Sequence, residues 1–298
     1  MEKRQTLSLI VAMLVFGSIG VFRRLIPLPS AFIAFTRGII GALFLLAFIF
    51  IKYKRLNLKT IKQNLLILAL CGAFIGVNWV LLFEAFNYTY VSIATMCYYV
   101  SPIFVLIGSL IFYRERLTLK KGICALASLF GMVLVSGILE GEVKSKDILG
   151  ILLALGASVF YAAVTLLSKK LDGVSRYETG FVELLFAGII VLPYSLSFEE
   201  ITLGALDFTD VFLLLLVGIL HTGIAYAMFF GATSALPSSK VALFSYIDPA
   251  SSLLFSFFIL SERISLLSRI GAIVILISAA ISDLSFSHFG KKKKANKE

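Results

Sequence analysis

Charge is scarce in this chain. Lys, Arg, Asp and Glu together make up 15% of its 298 residues. A water-soluble domain of this length needs far more polar surface, so a multispan membrane protein is the class that remains. Cysteine is scarcer still. Cys71, Cys97 and Cys124 all fall in apolar runs without metal-ligand spacing. They read as small packing residues, and neither a disulfide framework nor a metal site is expected. Histidine occurs twice, and no HExxH or GxSxG motif is present. An intramembrane metalloprotease or serine hydrolase therefore lacks its machinery. No Gly-Lys-Ser/Thr phosphate cradle appears, which argues against ATP drive. Channels want rings of charge or a carbonyl filter, and no filter-like glycine motif is found.

What fills the space instead is hydrocarbon. Apolar residues make up 59% of the chain, and the mean hydropathy is +1.00. A membrane span needs about 20 mostly apolar residues. Ten such runs are predicted: 5–22, 30–51, 63–84, 90–113, 119–138, 148–168, 176–196, 210–232, 237–260 and 265–283. The fold class expected is all-α and polytopic. The first run has Lys3 and Arg4 ahead of it, as a signal peptide would. No small-x-small cleavage site follows, and Arg23-Arg24 comes next, so it is read as a retained first helix.

The net charge of +10 could suggest nucleic acid, but its distribution points to lipid. With ten spans both termini share one side. If that side is the cytoplasm, its segments collect Lys3, Arg4, Lys52, Lys54, Arg55, Lys59, Lys62, Arg114, Arg116, Lys120, Lys121, Lys169, Lys170, Arg176, Lys240, the Lys291–Lys294 run and Lys297. The opposite side holds Arg23, Arg24, Lys144, Lys146, Arg263 and Arg269. The positive-inside rule then sets both termini in the cytoplasm of a cell membrane. The basic tail, 291–298, reads as a disordered anchor near anionic headgroups.

The chain also repeats itself. Residues 91–129 lie on 238–276 at a shift of 147 without a gap. Ser92 meets Ser239, Tyr99 meets Tyr246, Pro102 meets Pro249 and Ser109 meets Ser256. Glu115-Arg116-Leu117 meets Glu262-Arg263-Ile264, and each proline precedes its Glu-Arg by the same interval. An internal repeat in an apolar chain points to a transporter of two halves. The boundary is set at the polar link Glu140–Asp147, giving repeats over 1–140 and 141–290. Five spans per half is odd, so the second half enters from the other side and the repeat is inverted.

Polar groups at mid-membrane cost roughly 2.5–3.5 kcal/mol on insertion scales and are usually functional or paired. The short set here is Arg37, Asn78, Glu84, Glu183, His221 and Asp248. Asp248-Pro249 sits mid-span, where the proline removes a backbone donor. Asp248 there can exchange protons, hold a substrate amine, cap the frayed backbone or pair with His221. Trp79, Tyr98, Tyr99, Tyr226 and Tyr246 lie near the midplane, where an interfacial aromatic belt does not belong. Around a carboxylate they suit stacking or cation–π contact. The expected substrate-binding set is Asn78, Trp79, Tyr98, Tyr99, His221, Tyr226, Tyr246 and Asp248. The expected gating or coupling set is Arg37, Glu84, Glu183, Pro102 and Pro249. Arg37 and Glu183, at equivalent repeat positions, are expected in opposite leaflets at the two entrances to one cavity. Gly17 and Gly20, with Gly38 and Gly41 on the second helix, are expected to let helices approach closely.

Phe35-Thr36-Arg37, the small-residue third helix, and the two Pro to Glu-Arg units at Pro102 and Pro249 together resemble the drug/metabolite transporter superfamily, in its ten-helix form of two EamA-type repeats. That resemblance implies a central cavity ringed by helices 1–4 and 6–9, braced by helices 5 and 10. It also implies alternating access, often as export of amino acids or related metabolites. Arg37 has Glu183 in its place in the other half, which departs from strict symmetry. The expected partners are a small-molecule substrate, the lipid bilayer and, as a candidate energy source through Asp248 or His221, protons. No cofactor and no nucleic acid are expected, and the protein is expected as a monomer or homodimer. Uptake of a quaternary amine such as choline is the alternative that aromatics around carboxylates suggest.

Overall fold

The structure, a computed structural model, describes residues 2–114, 118–136, 138–140, 145–201, 206–236, 241 and 244–294. Glu115-Arg116-Leu117, Lys144, Ser238, Ser239 and Lys240 lie outside them. The described chain is all helical. In order it forms α1 (Glu2–Leu25), α2 (Ser30–Tyr53), α3 (Leu58–Gln63), α4 (Leu65–Tyr88), α5 (Val91–Tyr98), α6 (Ser101–Tyr113) and α7 (Leu119–Val135). After a 3-10 turn at Ile138–Glu140 come α8 (Ser145–Ser168), α9 (Arg176–Phe198) and α10 (Phe208–Leu216). A π-helical stretch, Val217–Ile224, leads into α11 (Ala225–Ala235), α12 (Ile247–Phe258) and α13 (Leu266–Lys294).

Among the described residues, seven stretches are long and apolar enough to cross a membrane: 2–25, 30–53, 65–88, 91–113, 145–168, 176–198 and 208–233. Three shorter apolar helices accompany them, Gly122–Val135, Ile247–Phe258 and Leu266–Ser278. Large apolar side chains, among them Leu66, Phe112, Leu126 and Phe198, stand exposed on the outside of the bundle. Water would drive such a surface to aggregate, whereas acyl chains solvate it.

Several boundaries differ from the sequence expectation. The span expected over 63–84 runs on to Tyr88, so Asn87 and Tyr88 belong to the last turn of α4 rather than to a loop. The spans over 90–113 and 237–260 are not simply kinked. Each is interrupted just ahead of its proline, at Tyr99–Val100 and at Tyr246. Pro102 sits in the first turn of α6, where a missing N–H costs nothing. The basic run Lys291–Lys294 continues α13, and the rest of the expected tail, 295–298, lies outside the described residues.

Packing pairs elements that are distant in sequence. α4 lies against α8, α2 against α9, and α7 against α13. α1 packs on α12, on α11 and on the π stretch, while α8 packs on α5 and α6. Small residues set the closeness. A Cβ on Gly38 would stand 3.0 Å from Leu184 O and from Gly188 N. One on Gly17 would meet the Ser251 hydroxyl and stand 2.5 Å from Asp248 O. α1 and α12 can therefore touch backbone to backbone only because position 17 has no side chain.

Candidate solute chamber

Asp248 opens α12, one residue before the buried Pro249. Its Oδ2 accepts a hydrogen bond from the Tyr99 hydroxyl at 2.5 Å. Tyr99 is the residue at which α5 stops, so the pair joins the break before one proline to the helix start at the other. Tyr98 stands edge-on to Tyr99 at 5.6 Å and to Tyr161 at 5.6 Å. Asp248, Tyr98 and Tyr99 are half-buried, and Tyr161 is exposed.

Arg37 forms a second focus. Its guanidinium carbon lies 4.0 Å from the Trp79 ring centroid and 5.2 Å from that of Phe83. Nε donates to Thr222 Oγ1 at 3.0 Å. Thr222 sits in the π stretch and gives its own proton to Val217 O at 3.1 Å. The widened turn thus aims a hydroxyl lone pair at Arg37. Such turns are uncommon and are frequent at functional sites. Tyr226 follows the π stretch as the second residue of α11. It also packs edge-on against Phe16 at 5.2 Å and Phe230 at 5.6 Å.

The structure places the other expected residues as follows. Asn78 is buried; it donates Nδ2 to Ala157 O at 2.6 Å, tying α4 to α8, and lies beside the Tyr98 hydroxyl. Trp79 is buried beneath Arg37. His221 is 1% exposed, held by Ser18 at 2.9 Å and by the Phe22 ring at 4.6 Å. It therefore sits inside the α1 contact, shielded from open space. Tyr246 is half-buried at the turn that opens α12. Glu84 joins a polar knot at one end of the bundle, where its Oε2 accepts from Ser30 at 2.6 Å and Asn87 at 3.1 Å, with Arg23 alongside. Arg37 and Glu183 are not at two separate entrances. They flank one crossing, where Gly38 meets Leu184, because α2 and α9 touch near their middles.

Sequence reasoning missed two carboxylates. Glu262, taken only as a repeat marker, is buried; it accepts from Val91 N at 2.7 Å, Ser92 N at 3.1 Å and Ser92 Oγ at 2.8 Å. It caps α5 from a distant part of the chain. Glu199 does the same for α2 through Ala31 N at 2.9 Å and Phe32 N at 3.0 Å. Helix starts offer free N–H groups and partial positive charge, so a carboxylate fits there. Neither partner lies near in sequence, and no local signal could have shown the pairing. Thr222 carried no signal in the sequence.

Residues 4–137 and 148–282 each match the EamA-like transporter family. The chain belongs to that family. An uncharacterized transporter of Bacillus subtilis, YxxF, is 32% identical over 283 residues, covering 93% of this chain and 88% of the relative. An uncharacterized transporter of Clostridium kluyveri is 27% identical, covering 87% and 83%. Protein RarD of Salmonella typhi is 28% identical over a shorter stretch, 66% of this chain and 64% of the relative. A solved crystal structure at 18% identity superposes over 96% of this chain and 98% of its own, with a TM-score of 0.68, a likeness of fold. This EamA-family protein is thus a multi-pass membrane transporter. Its family matches fall on either side of the expected boundary at 140–147.

Proposed function

We propose that the protein is a secondary transporter for a small organic solute, an amino acid, amine or related metabolite, worked by alternating access and directed outward. In this reading ten helices cross a cell membrane as two inverted halves, with both termini in the cytoplasm. Partner exchange between the halves supports that arrangement. α4 of the first half packs on α8, the opening helix of the second. α1, the opening helix of the first, packs on the π stretch and α11. α2 and α9 pair with each other, as do α7 and α13. A twofold axis in the membrane plane produces this pattern.

The observation that carries the reading is the Tyr99–Asp248 hydrogen bond. It joins the two halves at paired helix breaks, the kind of place where discontinuous spans build a midplane site. Asp248 is the group placed to take a proton or a solute amine. In proteoliposomes, Asp248→Asn is expected to lower transport at least about tenfold while purified yield and melting temperature stay near wild type, in line with a charged hydrogen bond of about 1.5–3 kcal/mol. Full activity in that variant would remove Asp248 from the site. Quaternary-amine uptake keeps support from the ring cluster Tyr98, Tyr99 and Tyr161 beside the carboxylate. The Arg37 cation in the same space weighs against it.

A further inference from the structure

Arg37 is 4% exposed, a cation at a depth where a charge is normally answered by a carboxylate. Among the described residues none pairs with it. Its contacts are the faces of Trp79 and Phe83 and the Thr222 hydroxyl. These hold the guanidinium in one orientation, with Nε spent. Cation–π contact contributes about 2 kcal/mol when desolvated, which offsets part of the burial cost and none of the hydrogen-bonding deficit. Nη1 and Nη2 have no acceptor among the described residues. They are also absent from the fully enclosed unsatisfied atoms, which are Arg23 Nε, Thr89 Oγ1, Glu183 Oε1, His221 Nδ1 and Ser256 Oγ. The two terminal nitrogens therefore keep the little accessible surface that Arg37 has, with no protein acceptor among the described residues. Asp248, the carboxylate of that chamber, is engaged by Tyr99.

A fixed guanidinium with two free, coplanar N–H groups matches a carboxylate in bidentate fashion, which a lysine or a hydroxyl cannot do. We propose that Arg37 is the anchor for a carboxylate on the transported solute, so that the substrate class is an organic acid or zwitterion and not a simple amine. This rests on the reading of the chamber as the transport site. The π-helical turn gains a role: it supplies the hydroxyl that orients the anchor without neutralising it. Trp79 and Phe83 become the platform beneath Arg37, not walls that touch the solute.

The test compares acids with their uncharged counterparts on the purified full-length protein. The probes are the twenty L-amino acids and a set of mono- and dicarboxylates, each beside its carboxamide and, for the amino acids, its decarboxylated amine. Thermal stabilisation and competition for counterflow in proteoliposomes are read together. At least one acid is expected to stabilise and compete, with its amide and amine weaker by about tenfold or more. Arg37→Gln should abolish that preference, and Arg37→Lys should keep part of it at lower affinity. The wild-type comparison needs no variant, so a poorly folded Arg37→Gln leaves the result intact. Equal or better binding of amides and amines, or no binding by any acid, overturns the anchor. A protein that moves amines but no acid would lose the anchor and keep the transport reading, whereas one that moves nothing in the panel would count against both.

Discussion

At the scale of single residues, this protein uses carboxylates in two distinct ways. Glu199 and Glu262 are spent on helix starts, each collecting two backbone N–H bonds from another element. Asp248 collects one hydroxyl and stays half-open. The first kind of group is structural, and its loss should appear as stability. Glu262→Gln is expected to cost about 1–3 kcal/mol, since an amide offers one acceptor oxygen where three donors converge. A fall of several degrees in melting temperature in detergent would be the reading; an unchanged value would remove the cap from the list of stabilising contacts. The second kind should appear as affinity. Tyr99→Phe removes the donor to Asp248 without changing shape, and is expected to alter solute affinity about tenfold with little change in melting temperature. Asp248 and its aromatic neighbours were legible in sequence because a charge in an apolar run stands out. The caps were not, because an acidic residue at a span end looks the same whether it meets water or an amide.

At the scale of elements, the apolar runs were legible from hydrocarbon length alone; among the described residues seven are helices long enough to cross a membrane and three are shorter. Less legible was how each span is broken. Pro102 and Pro249 signalled a disturbance, but a proline at the first turn of a new helix and one inside a kinked helix read alike in sequence. The π stretch had no signal at all, since Val217–Ile224 is as apolar as its flanks. Glycine spacing was more informative. Gly17 and Gly38 were expected to bring helices together, and both stand where a Cβ would strike backbone. The same holds for Gly131 and Gly271, each of whose added Cβ would meet the other's carbonyl oxygen, at 2.8 and 2.5 Å. α7 and α13 therefore act as one braced pair. Gly271→Val is expected to force them apart and lower the melting temperature by 5 °C or more, with the solute preference of any remaining folded protein unchanged. A shift in preference instead would mean that the brace reaches the chamber.

At the scale of the whole molecule, both ends of the bundle are tied across the halves. One end has the Glu199 and Glu262 caps. The other has Asn64 exchanging hydrogen bonds with Asp172 at 2.9 and 3.2 Å, and Glu178 accepting from Asn57 N at 2.7 Å. In the alternating-access cycle proposed above, rocking of the halves would loosen one set at a time. Between the ends, Thr95 Oγ1 and Ser252 Oγ lie 3.2 Å apart on α5 and α12, one from each half. In a background with the three native cysteines replaced by alanine, Thr95→Cys with Ser252→Cys should cross-link under oxidation. Transport should stop and return on reduction. Wild-type rates in the cross-linked protein would show that α5 and α12 never part during the cycle.

The widened turn at Val217–Ile224 also bears on chain length. A π turn holds more residues per rotation than an α turn, so this stretch carries surplus chain relative to a regular helix. Removing one residue between Gly218 and Ile224 would let the backbone relax to ordinary winding and still reach across the bilayer. Tyr226 and Phe230 downstream would keep the faces they present, since the wide turn takes up its extra residue without turning the helix beyond it. Such a shortened protein is expected to keep the packing of α11 on its neighbours while the turn at Val217–Ile224 tightens. Thr222 would lose its aim at Arg37, which makes this bend a dial for tuning what the protein selects.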